Sequence, residues 1–219
     1  MPALKAGRMT PSRAGILVAL LTLAALFAAG TARAQTACNQ GTTYDIRTCW
    51  SKQDVAADSA LQSTVVKATA ALHKAGVDSA LLTAAQAAWV TARDKTCAFE
   101  YELYLPGTIA PQLGVECDVR MTRAQTQRLA ALLAALQSKG ARPAELPLGS
   151  AAGTELNRVY ALYSARLTAA QRSALDAAEL AWKVYRDKTC ALERGRCLTE
   201  LERERVAELE ASWVGEAFW

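Results

Sequence analysis

The sequence predicts an all-α protein made of two tandem, disulfide-braced helical units that form a small bundle. Alanine and leucine supply much of the 52% hydrophobic content, and only 12 Gly and 6 Pro interrupt 219 residues. This composition favours helices, because strands are rich in β-branched and aromatic residues. An internal repeat and six Cys residues are the other two observations behind the prediction.

Residues 1–34 have the features of a signal peptide. A basic start is followed by an apolar run over 15–29 and by an A-x-A triplet that ends at Ala34. We expect cleavage between Ala34 and Gln35. The apolar run is shorter than the roughly 20 residues that span a bilayer. We therefore expect a periplasmic or secreted protein with no stable membrane insertion after cleavage; a retained N-terminal anchor is the alternative.

The charge of the mature chain argues against nucleic-acid binding. Residues 1–34 contain four of the 25 Lys and Arg residues and no acidic residue, so 21 basic residues remain against 21 acidic ones. A nucleic-acid-binding protein needs a basic surface to neutralise phosphates. A neutral mature chain therefore predicts no nucleic-acid partner.

A duplication organises the rest of the chain. Residues 87–100 read AAWVTARDKTCAFE and residues 180–193 read LAWKVYRDKTCALE. A constant shift of 93 residues pairs Trp89 with Trp182, Arg93 with Arg186, Asp94 with Asp187 and Cys97 with Cys190. The apolar residues of both copies have helical spacing. We predict a first unit at 35–141, a linker at 142–152 and a second, shortened unit at 153–219, within one domain or two.

Helical periodicity and capping signals predict six helices. Their expected ranges are 44–74, 78–103, 119–139, 153–166, 168–194 and 199–214. Thr122, Thr168 and Thr199 each precede Gln or Glu by three residues, which is the capping-box pattern of a helix start. Gly140 and Gly195 lie where helices should end. A loop is predicted from Pro106 to Gly114.

The duplication favours one disulfide pattern among the many that six cysteines allow. The second unit contains only Cys190 and Cys197, which would pair with each other. By correspondence Cys97 would pair with Cys117, and Cys38 with Cys49. Each bond is expected to stabilise the fold by roughly 2–4 kcal/mol.

These residues resemble the LprI-like lysozyme-inhibitor family, in its N-terminal domain type. The first unit has the Trp-x3-Arg-Asp-x2-Cys pattern, a glycine-containing loop at 107–111, and Cys117 at the start of a Leu-rich helix. The second unit repeats the pattern but lacks the early cysteine pair and the loop, and Gln125 occupies a position where the family usually has Arg. The resemblance implies an exported inhibitor with a lysozyme as its partner.

The repeated Trp-Arg-Asp motif has two interpretations. Trp89, Arg93 and Asp94, with their counterparts Trp182, Arg186 and Asp187, could form a ligand-binding charge pair. In the structural interpretation, which repetition favours, Arg stacks on the preceding Trp and Asp pairs with a neighbouring helix.

The stretch 96–119 is the candidate partner-binding site. It contains four carboxylates, three aromatic residues and no Lys or Arg. Aromatic side chains supply contact area and carboxylates steer a cationic protein, and lysozymes are commonly basic. The candidate contact residues are Glu100, Glu102, Tyr104, Gly107 and Thr108, around a loop at 105–116. The alternative is that the aromatic residues belong to the core.

Catalytic and metal-binding patterns are missing from the sequence. His73 is the only histidine, so a cysteine nucleophile has no evident basic partner, and zinc-type C-x2-C spacing does not occur. We therefore expect no enzyme activity, metal or cofactor.

The alternating Glu and Arg residues at 200–210 indicate a solvated helix face. The alternative function is a structural or envelope-interaction module without lysozyme activity; the oligomeric state is open.

Overall fold

The predicted all-α fold is confirmed. The computed structural model describes residues 38, 40–137, 151–193 and 197–216, without the side chains of 151 and 213–216. These residues form six helices and no strand. The helices are α1 (Thr43–Lys74), α2 (Ala80–Leu103), α3 (Ala110–Gln137), α4 (Ala151–Ser164), α5 (Ala169–Glu193) and α6 (Cys197–Glu216). The expected signal peptide lies outside the described residues.

Helix α3 differs most from its prediction. It begins at Ala110 rather than at 119, so the predicted loop from Pro106 to Gly114 is wrong beyond residue 109. Pro111 lies in the first turn of α3, where a missing N–H donor removes no helical hydrogen bond. The other five helices begin and end within two residues of their predicted ranges. Only the segment Tyr104–Ile109 connects α2 with α3.

One predicted capping box is confirmed and two are wrong. The backbone N–H of Gln171 donates to Thr168 Oγ1 at 3.3 Å, and that of Thr168 donates to Gln171 Oε1 at 3.0 Å. Thr122 instead lies inside α3, and Thr199 lies inside α6. The expected helix-ending residues Gly140 and Gly195 are outside the described residues.

The chain divides between Cys49 and Trp50 into two units. In the first unit, the Cys38–Cys49 disulfide closes a short segment, and Asp45 accepts a 2.9 Å hydrogen bond from the backbone N–H of Thr42. The core and the candidate sites described below belong to the larger unit, which begins at Trp50.

Both sequence repeats contribute to one hydrophobic core in the larger unit. Helix α2 of the first repeat packs most extensively against α5 of the second, and α3 and α6 pack on α2 and α5 respectively. Phe99 of α2 meets Tyr163 of α4 edge-on, with ring centroids 5.9 Å apart. The core therefore joins the repeats, while the boundaries 35–141 and 153–219 stay a prediction.

All three predicted disulfides are present. Cys97 bonds to Cys117, Cys190 to Cys197, and Cys38 to Cys49. The Cys97–Cys117 bond joins α2 to α3, and the Cys190–Cys197 bond joins α5 to α6. Each helix that carries the repeated Trp-Arg-Asp motif is therefore linked covalently to the helix that follows it.

Candidate functional site

The α2–α3 loop, Tyr104–Ile109, projects apolar side chains into solvent. Leu105 is 42% exposed and Ile109 is 46% exposed. The Cys97–Cys117 disulfide ties together the two helices that carry the loop. Within the loop, the Gly107 N–H donates to the Tyr104 carbonyl at 2.7 Å, and the Leu105–Pro106 peptide is cis. The loop is thus a compact turn with exposed apolar residues at both ends.

The five predicted contact residues occupy different environments. Gly107 and Thr108 are exposed at the tip of the loop, and Glu102 is partly exposed at its base. Tyr104 is partly buried and packs against the core. Glu100 lies deeper and forms an ion pair with Arg120 of α3. The partner-binding role of these residues stays a prediction.

Arg120 changes the expected acidic character of this region. Burial raises the pKa of the Glu100 carboxyl, and the Arg120 guanidinium offsets part of that rise. Burial also raises the pKa of Glu116, with Arg120 again acting in the opposite direction. Arg120 was outside the stretch 96–119 that lacks basic residues, but the reversal of chain direction between α2 and α3 brings it back to Glu100. Glu100 is therefore an internally paired carboxylate.

The first Trp-Arg-Asp motif is a junction between three helices. The Arg93 guanidinium carbon lies 5.2 Å from the centroid of the Trp89 ring, as the structural interpretation predicts. Arg93 pairs with Asp58 of α1 at 3.5 Å and with Asp118 of α3 at 3.7 Å. Asp94, which was expected to reach a neighbouring helix, pairs with Arg93 itself at 3.0 Å. The arginine therefore makes the contacts between helices.

Carboxylates outnumber the arginine at this junction. Burial raises the pKa of Asp118 to about 6, Arg93 acts in the opposite direction, and the neighbouring aspartates raise it further. Asp58 and Asp94 remain about half exposed. This side of the molecule thus presents negative charge to solvent.

The second motif is a simpler version of the first. Arg186 lies 5.4 Å above the Trp182 ring centroid and pairs with Asp187 at 2.8 Å. Its contact with the following helix is to Glu202, at 3.9 Å. Repetition of the stacking in both sequence repeats fits a structural role for the motif.

Sequence patterns missed the most buried charge in the described part of the chain. Arg205 was expected on a solvated face, but its side chain is fully buried. It donates to Glu179 of α5 and to Glu208 of α6, each at 2.7 Å, and to Thr96 of α2 at 3.3 Å. The correspondence of Cys117 with Cys197 places Arg205 opposite Gln125, a family arginine position. That alignment was the signal that could have identified a buried arginine.

Two findings concern metals and membranes. Among the described residues, no group of three or more His, Cys, Asp or Glu side chains could hold a metal ion. None of the described helices is both long and apolar enough to cross a bilayer.

Comparison with known proteins identifies the family. The family model described as Lysozyme inhibitor LprI matches residues 34–129 and 150–209, which is more than half of the chain. No curated protein and no solved structure matches the chain. The two matched segments follow the two repeats, and the second is the shorter. The chain therefore belongs to the LprI lysozyme inhibitor family, with two tandem segments of its pattern.

Proposed function

We propose that the mature chain is an exported protein that binds a lysozyme and blocks its cleft through the α2–α3 loop. The observation that carries this proposal is the pair of exposed apolar residues, Leu105 and Ile109, on a disulfide-braced turn. A turn already held in shape loses less conformational entropy on binding than a flexible segment does. Inhibition by occlusion needs neither catalysis nor a cofactor.

The neighbouring charges suit a basic partner. Glu102 lies at the base of the loop, and Asp58 and Asp94 are about half exposed at the Arg93 junction, further along the helix that leads into the loop. Exposed carboxylates accelerate association with a cationic protein, and salt weakens this effect. We therefore infer that contact comes mainly from the loop and that steering comes from the carboxylates.

Export is part of the proposal. Three disulfides suit a protein that folds in an oxidising compartment outside the cytoplasm. The signal peptide expected at residues 1–34 would deliver it there, with cleavage after Ala34. The periplasm or the cell exterior is also where a protein would meet a lysozyme.

A turbidity assay tests the function. Purified residues 35–219 are titrated into a lysozyme that is clearing a suspension of bacterial cell walls. We expect dose-dependent inhibition that weakens as salt rises, and inhibition that more cell-wall substrate relieves. If several lysozyme types clear the suspension at full rate with excess protein, lysozyme inhibition is wrong. Capture of envelope proteins by the same preparation would then favour the envelope-interaction module.

A further inference from the structure

An open groove runs between α3 and α6, over a floor that includes Trp89 and Trp182. Its volume is about 930 Å³, near the upper end of the range of roughly 300–1,000 Å³ found for ligand sites. No residue of the loop Tyr104–Ile109 lines it. The groove is therefore a second concave surface, separate from the proposed lysozyme contact.

Helix α3 forms one long wall of the groove. The residues of α3 that line it run from Arg120 to Leu136, which is about 24 Å at roughly 1.5 Å per residue. Ala124, Ala131 and Ala135 are exposed on this wall. Small side chains allow the backbone of a docked segment to come close. The length of the wall matches a helix of about four turns.

One end of the groove is apolar. It is lined by Leu72 of α1, Val77 and Leu81 near the start of α2, and Leu132 and Leu136 of α3. Of these, only Leu72 is fully buried, and the others are partly exposed. Partly exposed aliphatic side chains converging on a concavity favour an occupant with apolar side chains.

The α6 wall of the groove has more negative than positive charge. Arg128 pairs with Glu193 and Glu204, at 3.1 and 3.0 Å. Arg120 and Arg205, which also line the groove, each pair with two carboxylates as well. Glu200 lines the groove, is exposed, and forms no ion pair among the described residues. The guanidinium groups are thus already compensated, and the excess charge favours a cationic occupant.

We propose that this groove binds a basic amphipathic helix from a protein partner. Apolar side chains of that helix would lie at the leucine-rich end, and its Lys or Arg residues would lie beside Glu200 and Glu204. Docking of an amphipathic helix in an apolar groove is a common mode of peptide recognition. The proposal does not depend on lysozyme inhibition, because the loop and the groove have no residue in common.

A labelled peptide tests the proposal. The probe is a synthetic helical peptide of about 16 residues, with leucines along one face and lysines along the edge of that face that would meet α6. We expect residues 35–219 to bind it saturably in fluorescence anisotropy, with affinity falling as salt rises. The Ala131→Trp variant fills the groove and should weaken binding about tenfold or more, which corresponds to at least about 1.4 kcal/mol.

Matched controls separate docking from damage to the fold. Ala130→Trp adds the same ring at an exposed neighbouring position that does not line the groove, and should leave affinity unchanged. Glu200→Lys should weaken binding, whereas Glu210→Lys, exposed and outside the groove, should not. Absence of saturable binding, or equal binding by both Trp variants, would overturn the proposal. If the parent protein does not bind the peptide but self-associates or binds a fatty acid, and Ala131→Trp loses that property, the groove has another occupant. That result would also overturn the proposal.

Discussion

Arg205 of α6 donates to Glu179 of α5 at 2.7 Å, in a fully buried pair that the first repeat lacks. The corresponding positions of the first repeat are Gln125 and Gln86, so one repeat has charges where the other has amides. At these positions each repeat nevertheless forms a side-chain hydrogen bond with the other repeat. Arg205 donates to Thr96, and Gln125 accepts a 2.9 Å hydrogen bond from the Tyr185 hydroxyl.

This asymmetry predicts a stability rescue. Arg205→Gln should lower the free energy of unfolding by about 3–5 kcal/mol, because it leaves Glu179 as a buried charge without its partner. Adding Glu179→Gln reproduces the amide pair of the first repeat and should restore much of that loss. Urea unfolding of the two variants measures the difference. A double variant no more stable than the single one would show that the unpaired carboxylate is not the cause.

The raised pKa of Asp118 predicts how the stability of the fold depends on pH. Burial raises its pKa to about 6, above the ordinary value of 3.8, so the folded state holds the proton more tightly than the unfolded state. The contribution of Asp118 to stability therefore falls as pH rises from about 4 to about 6. Asp118→Asn should be more stable than the parent at neutral pH, with the advantage lost below about pH 4. Thermal unfolding at both pH values measures it; a variant that is less stable at neutral pH contradicts the prediction.

The disulfides should differ in strength according to the loops they close. Cys97 and Cys117 are 20 residues apart, whereas Cys190 and Cys197 are 7 apart. Chain-entropy arguments give about 3 kcal/mol for the longer loop and about 2 kcal/mol for the shorter one. Replacing Cys97 and Cys117 with alanines should therefore lower the free energy of unfolding, measured in urea, more than replacing Cys190 and Cys197 does. Equal losses would indicate that packing around the sulfur atoms dominates.

Most of the fold could be predicted because its signals are local or repeated. Helical periodicity predicted five helices nearly in full, and the duplication predicted the disulfides, because the second repeat contains only Cys190 and Cys197 and the first repeat has corresponding cysteines. The start of α3 was missed because Pro106 and Gly114 suggested a loop. Pro111 was the opposing signal, since proline is favoured in the first turn of a helix.

Pairing across the fold could not be predicted in the same way. Glu100 and Arg120 are 20 residues apart, and only the packing of α2 against α3 makes them partners. Likewise, a Glu- and Arg-rich helix usually has a solvated face, but tertiary packing buries Arg205. Binary patterning places charged side chains outside the core, and a charge that is buried with partners violates that rule.

Alanine substitutions at two glycines test whether the shape of the loop matters for inhibition. A Cβ added at Gly107 would lie 2.7 Å from the Tyr104 carbonyl oxygen, so Gly107→Ala must displace the turn. At Gly114 the nearest atom is 3.9 Å away, an ordinary contact, and alanine suits the helix interior there. Gly107→Ala should weaken lysozyme inhibition about tenfold, if about 1.4 kcal/mol of contact is lost. Gly114→Ala should inhibit as the parent does; equal inhibition by both variants would contradict a role for the loop's shape.

The most direct test of the central claim is the inhibitory potency of Leu105→Asp combined with Ile109→Asp. Its control is Val66→Asp on α1, at a residue that is more exposed than either loop residue. If the loop occludes the lysozyme cleft, the loop variant should lose at least about tenfold in potency while the control inhibits like the parent protein. A folded loop variant that inhibits as strongly as the control would contradict the claim that the loop is the inhibitory contact.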